Sequence, residues 1–311
     1  MTLPPREYAR LTVKQAGQPH ATISLDLVQD LLVVDGWLDS DTCQRLMNDG
    51  DLLCPTTKGR VFHGGRHFVP NTSDNWHRLC RESDAWRSLE RRLGSREFLS
   101  WIVSELGSES GSSDLVPVQL YSAPRSAIAR FFRGPEVVEL PRRSQPLKWA
   151  RSSLYHALLG LRRRIRFHLT RILHRRTAVE LLCDYSRASN GYGRVIHRDS
   201  DMRRYVFLLY LNTLDDADGG DLDVYRLADP SNGSPAWPDD NQCVLERSVR
   251  PAEGRLVVFR NAHDSFHGVS TMQGHDSIRH FIYGGFTQLG GTNPDMIGST
   301  EAISTEFHLY A

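Results

Sequence analysis

The 311-residue sequence predicts a mainly β fold with flanking helices, built as an antiparallel barrel or sandwich. Three observations predict it. Strand-length runs rich in Val, Ile, Leu, Phe and Tyr recur from Ala178 onward: Ala178 to Tyr185, Tyr205 to Leu211, Asp221 to Leu227, Cys243 to Val249, Arg255 to Phe259 and Ile278 to Phe286. Turn-forming clusters separate them, among them Asp215-Asp216-Ala217-Asp218-Gly219-Gly220, Asp229-Pro230-Ser231-Asn232-Gly233 and Pro251-Ala252-Glu253-Gly254. No helical periods alternate with these strands, which disfavours a parallel sheet.

Taken in order, residues up to about Ala21 read as a lead-in. Ile23 to Leu38 is apolar and partly β-branched, ending in Val33-Val34-Asp35-Gly36-Trp37-Leu38. Asp39-Ser40-Asp41 offers an N-cap for a helix through Cys43, Leu46 and Met47. Val61 to Val69 reads as a hairpin around Gly64-Gly65. Ser83 to Leu93 and Arg96 to Leu106 carry helical spacing, with Phe98, Ile102 and Leu106 at four-residue steps in the second. Gly107 to Ser113 is a Gly/Ser loop, and Leu115 to Phe132 is expected to be extended. Leu154, Leu158, Leu161, Ile165, Leu169 and Ile172 then form one apolar stripe of a helix whose remaining surface is rich in arginine. The expected division is an N-terminal α/β region over 1–140, a basic amphipathic helical insertion over 141–177, the β core over 178–287 and a tail over 288–311.

Net charge is close to zero, yet unevenly spread. Eleven of the 38 basic residues lie between Pro141 and Thr177, where there is no Asp or Glu. The remainder carries 27 basic against 37 acidic residues. Such a split points to a local anionic ligand or membrane surface at the basic helix (150–176), and disfavours a protein that coats nucleic acid. Packing of the apolar stripe on the barrel, with the arginines left in solvent, is the competing reading. Five scattered cysteines without C-x-x-C pairing argue against a disulfide framework and for a reducing compartment. The N-terminus lacks a signal-peptide layout, and no apolar run approaches the ~20 residues of a membrane span. The expected location is the cytoplasm, with peripheral membrane association through the basic helix as the variant.

The chemistry centres on His197-Arg198-Asp199 and a later histidine. Alone, H-x-D is a weak signal, and a surface histidine paired with Asp199 is the plain alternative. Two residues apart in an extended chain, His197 and Asp199 share a face and can reach one ion. A third ligand must then come from another strand. His267, which follows the buried-strand pattern Gly254-Arg255-Leu256-Val257-Val258-Phe259, supplies it best; His263, His275 and His280 are rivals. Two imidazoles and one carboxylate cover one face of an octahedral metal and leave three positions open, a set suited to iron(II) that must also bind a cosubstrate and oxygen. Arg279 lies in a run otherwise inclined to be buried, and a buried arginine needs an anion, either a local carboxylate or a ligand's.

With these residues in place, the stretch from about 178 to 287 resembles the iron(II)/2-oxoglutarate-dependent dioxygenase superfamily, closest in layout to its prolyl-4-hydroxylase-like branch. The matching features are His197-Arg198-Asp199, Tyr210-Leu211-Asn212, Gly219-Gly220-Asp221-Leu222, Gly254 to Phe259, His267-Gly268-Val269 and Arg279 twelve residues later. Asp35-Gly36-Trp37-Leu38 resembles the usual N-terminal opening of such proteins. The resemblance implies a double-stranded β-helix (jelly-roll, cupin-like) core. It implies iron(II) on His197, Asp199 and His267, with these three as the catalytic set. It implies 2-oxoglutarate chelating the metal and placing its far carboxylate on Arg279, with O2 as the second cosubstrate and L-ascorbate as the candidate reductant. The implied outcome is hydroxylation of an unactivated C–H bond in a small-molecule or peptidyl substrate, with release of succinate and CO2. Desaturation or cyclisation on the same iron, and a cupin-like binding module without oxygen chemistry, are the alternatives.

Departures from the pattern narrow it. Prolyl hydroxylases often carry Lys where Arg279 stands. The halogenase relatives replace the metal carboxylate with a small residue, so Asp199 disfavours halogenation. The nucleic-acid demethylase relatives carry a second arginine soon after the first, and none follows Arg279 here. A tyrosine commonly helps hold the distal carboxylate, which makes Tyr185 or Tyr205 the candidate, against a core-packing role for each. His63 and His67 could form a second metal pair but would need further ligands; a structural or substrate-side role is the competing reading.

Overall fold

Strands that are apolar on both faces need cover on both faces, and the architecture of this protein provides it. The computed structural model describes residues 25–28, 30–55, 60–62, 65–107, 115–118, 178–229, 235–274 and 276–288. The segment 141–177, expected as a basic helix, and the C-terminal tail from residue 289 lie outside the described residues. Among the described residues, thirteen strands form two sheets. The larger holds β1 (Leu25–Val28), β2 (Leu31–Val34), β3 (Arg60–Phe62), β4 (Arg66–Pro70), β5 (Val116–Val118), β6 (Ala178–Ala188), β8 (Arg203–Tyr210), β11 (Leu256–Arg260) and β13 (Arg279–Gln288). The smaller holds β7 (Arg194–His197), β9 (Leu222–Leu227), β10 (Cys243–Val249) and β12 (Phe266–Val269).

Strand order is β1-β2-β11-β8-β13-β6-β4-β3 in the larger sheet, with β5 paired to β6, and β10-β9-β12-β7 in the smaller. From β6 to β13 the chain passes repeatedly from one sheet to the other, and the pairings that define the two sheets, β5–β6 aside, are antiparallel. This is the double-stranded β-helix that the resemblance implied.

Of the four α-helices among the described residues, three follow the sequence signals closely. α1 (Ser40–Leu53) starts at Asp39, whose Oδ1 accepts from the Thr42 amide at 2.7 Å. α3 (Asp84–Leu93) and α4 (Arg96–Leu106) start at Ser83 and Ser95, each capping its own first turn. α2 (Asp74–Glu82) was not anticipated: at nine residues it is too short for a clear helical period, and its apolar anchors are only Trp76, Leu79 and Cys80. The strand expectations hold to within a few residues at each end, while β12, four residues long, had no run of its own in the pattern.

Two apolar layers result. Outside the larger sheet, the helices bury Leu46, Trp76, Trp86, Leu89 and Phe98 against Tyr185, Tyr205, Phe207, Leu209, Ile282 and Phe286. Between the sheets lie Tyr192, Val206, Leu208, Tyr210, Leu222, Val257 and Phe281. Parity along β8 therefore decides function: Tyr205, Phe207 and Leu209 face the helices, whereas Val206, Leu208 and Tyr210 face the inter-sheet space. Trp86 is fully buried, donates its indole N–H to the Leu46 carbonyl at 3.0 Å and sets its ring 4.9 Å from that of Tyr185. Truncating such a side chain costs about 3–5 kcal/mol, so the helical layer is a firm support for the sheet behind the site.

Candidate metal centre

Cross-strand register assembles the site. β12 pairs with β7 so that His267 stands opposite His197, and the two imidazole centroids are 4.5 Å apart. β7 ends at His197, and Asp199 sits in the loop that follows. That loop is tied down by Asn261, fully buried, whose amide donates to the carbonyls of Ser200 (2.9 Å) and Arg203 (3.1 Å). An ion pair from Arg198 to Asp201 at 2.6 Å closes it from within. One potential ligand atom from each of His197, Asp199 and His267 lies within 4.8 Å of the others. Among the described residues this is the one such cluster of three or more.

The donor set fits a metal ion. A backbone carbonyl can only accept, so His197 Nδ1, 2.8 Å from Val195 O, carries the proton and leaves Nε2 with its lone pair. His267 Nδ1 faces Ser265 O at 3.4 Å in the same sense, a longer contact. Asp199 Oδ2 is buried, has no hydrogen-bond partner among the described residues and lies 3.6 Å from His267 Nε2. An orphaned carboxylate oxygen beside two imidazole lone pairs is costly in a dry site unless a cation completes it.

Electrostatics agree with ligand-ready protonation states. Burial drives His197 down to about 3, with His267 adding to the effect. Burial likewise lowers His267. Burial by itself would raise Asp199, but the Arg203 guanidinium, the imidazoles and a hydrogen bond from Tyr283 outweigh it and hold the carboxyl below its ordinary range. Neutral imidazoles and an ionised carboxylate are the forms that bind metal. Trp237, 52% exposed, stacks on His197 at 5.1 Å and 16°, and Phe259 stands 4.8 Å from the His267 ring.

The three residues line an open cavity of about 800 Å³, solvent at its mouth included, shared with Tyr192, Leu208, Leu222, Phe281 and Tyr283 and with the Arg66–Asp184 ion pair. Arg279 is not one of the lining residues; it lies behind Phe281. It is fully buried, its guanidinium is 4.6 Å from the Phe281 ring centroid, and Nη2 donates to the Tyr210 hydroxyl at 3.1 Å. Nε and Nη1 have no hydrogen-bond partner among the described residues. The turn into β9 requires glycine: Gly219 has φ +68° and a Cβ there would overlap the Thr271 carbonyl, while Gly220, φ +79°, is the residue that passes Arg279, with its Cβ position 3.7 Å from Arg279 Cδ.

The structure does not bring Tyr185 or Tyr205 to Arg279. Both belong to the helix-facing layer: Tyr185 shares a hydrogen bond with His280 Nδ1 at 2.8 Å, and Tyr205 donates to Gly107 O at 3.4 Å. Tyr210 stands where a tyrosine was expected, because it faces Phe281 across the β8–β13 ladder on the inter-sheet side. Of the rival histidines, His263 lies partly exposed in the turn after β11, and His280 faces the helices. His275 and His63 lie outside the described residues, and His67 joins no metal-type cluster among them. Tyr210, Tyr283, Arg203 and Trp237 are the site neighbours that sequence reasoning missed. Only the i, i+2, i+4 spacing of Arg279, Phe281 and Tyr283 could have pointed to one of them.

Residues 183–286 match the family model described as the 2OG-Fe(II) oxygenase superfamily. Among solved structures, the chain is similar to a prolyl hydroxylase from Trichoplax adhaerens in complex with a hypoxia inducible factor oxygen degradation domain peptide, at 13% identity over 83% of this chain and 84% of that one, with a TM-score of 0.41. It is similar to a prolyl-4-hydroxylase from Pseudomonas putida at 15% identity over 84% and 94%, TM-score 0.40. It is also similar to SnoK, a non-heme alpha ketoglutarate dependent carbocyclase from nogalamycin biosynthesis, at 10% identity over 83% and 80%, TM-score 0.43. No curated protein matches the chain.

Proposed function

We propose, from the premise that residues 183–286 belong to the 2OG-Fe(II) oxygenase superfamily, that His197, Asp199 and His267 hold iron(II) and that Arg279 anchors the distal carboxylate of 2-oxoglutarate. The chain is a 2-oxoglutarate-dependent dioxygenase, and hydroxylation of an unactivated C–H bond is the outcome we assign to it. When bound, iron and 2-oxoglutarate supply the oxidant, with O2 consumed and succinate and CO2 released.

One observation carries the residue assignment. His197, Asp199 and His267 converge with both Nδ1 atoms turned to backbone carbonyls and with Asp199 Oδ2 unpaired. The chain's own residues do the rest of the positioning. Tyr210 orients the Arg279 guanidinium through Nη2, and the unpartnered Nη1, with the second Nη2 hydrogen, presents one edge to a carboxylate. Phe281, Leu208 and Leu222 give the cavity apolar walls that keep water from the reacting centre. Trp237 and Phe259 fix the planes of the two imidazoles.

The substrate is a small molecule or a peptidyl side chain that enters this cavity, and L-ascorbate is the candidate reductant. The test is succinate formation dependent on both iron(II) and 2-oxoglutarate across a panel of such substrates, with and without ascorbate. Asp199→Ala abolishes it; full turnover in that variant would overturn the assignment. The arginine-rich stretch 150–176 is our candidate anionic surface, tested by binding to vesicles with Arg162, Arg163, Arg164 and Arg166 neutralised. Unchanged binding would remove that idea. Among the described residues no helix is long and apolar enough to cross a membrane.

A further inference from the structure

We infer that Tyr283 is a positioning residue for the metal: its hydroxyl occupies one oxygen of Asp199 and leaves the other as the single oxygen presented to the ion. The inference rests on the assignment of His197, Asp199 and His267 as metal ligands. It goes further by stating how the carboxylate is made to bind through one oxygen.

The geometry is specific to the two oxygens. Tyr283 Oη donates to Asp199 Oδ1 at 2.6 Å, a short charge-assisted bond. Oδ2, by contrast, has no hydrogen-bond partner among the described residues and is the oxygen nearer His267, 3.6 Å from Nε2. Arg203 reinforces the same choice, with Nη1 4.0 Å from Oδ1. A carboxylate free to rotate would offer a metal both oxygens, and that mode uses a coordination position. Holding Oδ1 keeps three positions open on the ion, which is what a metal that takes a bidentate cosubstrate and a further ligand requires.

Tyr283 is itself held from three sides. β13 is a central strand, so its backbone is fixed by register opposite Asp184 of β6 and Leu208 of β8. The ring lies against two guanidinium groups, that of Arg203 at 4.7 Å and that of Arg66 at 5.4 Å. Arg66 reaches in from β4, where its Nη2 meets Asp184 Oδ1 at 2.7 Å and its Nε meets Ser186 Oγ at 2.8 Å. Glycine at 285 lets β13 lie close to β8 there, since a Cβ would overlap the Tyr205 carbonyl. The hairpin strand β4, the central strand β13 and the start of β8 thus converge on one phenol, and that phenol touches one ligand oxygen.

The test is Tyr283→Phe, read by cobalt(II) binding and not by turnover. Cobalt(II) is titrated into the metal-free full chain by calorimetry, with its visible absorption recorded in parallel. The variant is expected to stay folded with a cooperative unfolding transition, to bind cobalt(II) about 10–100-fold more weakly, and to show a changed cobalt spectrum as Asp199 adopts a two-oxygen mode. A second variant reads the hydroxyl alone. Tyr283→Ala opens space on the cavity wall, and added phenol restores affinity whereas benzene does not. Wild-type affinity and spectrum in Tyr283→Phe, alongside loss of cobalt(II) by His267→Ala, would overturn the inference and leave the metal assignment standing. Retained cobalt(II) binding by His267→Ala would overturn both.

Discussion

Arg279→Met separates a cation kept for a ligand from a cation kept for the fold. In the free protein Arg279 is fully buried, donates one hydrogen bond to Tyr210 at 3.1 Å and leaves Nε and Nη1 without partners among the described residues. Removing the bond to Tyr210 costs about 1.5–3 kcal/mol. Removing an uncompensated buried cation recovers several kcal/mol of desolvation, and an apolar replacement of similar volume among Leu214, Met272 and Phe281 fits the surroundings. The balance predicts that Arg279→Met without 2-oxoglutarate is as stable as wild type or more stable by about 1–4 kcal/mol. Ligand reverses the order. At 100 times the dissociation constant, 2-oxoglutarate stabilises wild type by about 2.7 kcal/mol, and at that same concentration it does nothing for the variant. Denaturant unfolding with metal present, with and without 2-oxoglutarate, measures both. A loss of about 3–5 kcal/mol in the ligand-free variant would mean that Arg279 belongs to a fold-holding ion pair, and would refute the reasoning.

Tyr210→Phe removes the hydroxyl that orients the same guanidinium, so 2-oxoglutarate affinity falls about 10-fold while metal affinity is unchanged; calorimetry with each ligand checks the split. Trp237 stacks on His197, so a bound transition metal quenches its fluorescence, and Trp237→Phe removes that part of the quench without changing metal affinity. Burial lowers His77 and His280 from their ordinary value of 6.5. As pH falls through about 6.5 the unfolded chain takes up protons that the folded chain refuses, so stability declines on the acid side by up to about 1.4 kcal/mol per pH unit for each histidine and is unaffected above it. Unfolding midpoints at about pH 7.5 and 5.5 measure this, and His77→Gln removes one histidine's share; equal midpoints at the two values would contradict it.

Much of the core was legible because both faces of its strands are buried. Tyr205 to Leu211 and Arg255 to Phe259 read as unbroken apolar runs, since β8 and β11 have helices on one side and the second sheet on the other. The same property hid the tyrosine that bonds Arg279. With polar residues on neither face, nothing in the run says whether Tyr205 or Tyr210 points inward; only the pairing of β8 with β13, which sets Tyr210 opposite Phe281, decides it. Tyr185 and Tyr205, the candidates taken from the sequence, pack under the helices. His267 was legible through the strand pattern before it and its distance from Arg279. Tyr283 and Trp237 were not, because a contact to Asp199 across 84 residues and a ring stacked from a separate loop leave no local pattern.

The measurement that bears most directly on the account is the stoichiometry of iron(II) and 2-oxoglutarate binding to wild type and to His267→Ala under anaerobic conditions. One iron(II) per wild-type chain is expected, with 2-oxoglutarate binding strengthened by the metal and both lost in His267→Ala while Trp86 and the helical layer keep the fold intact. Iron binding retained by His267→Ala, or 2-oxoglutarate bound equally well with and without metal, would contradict it.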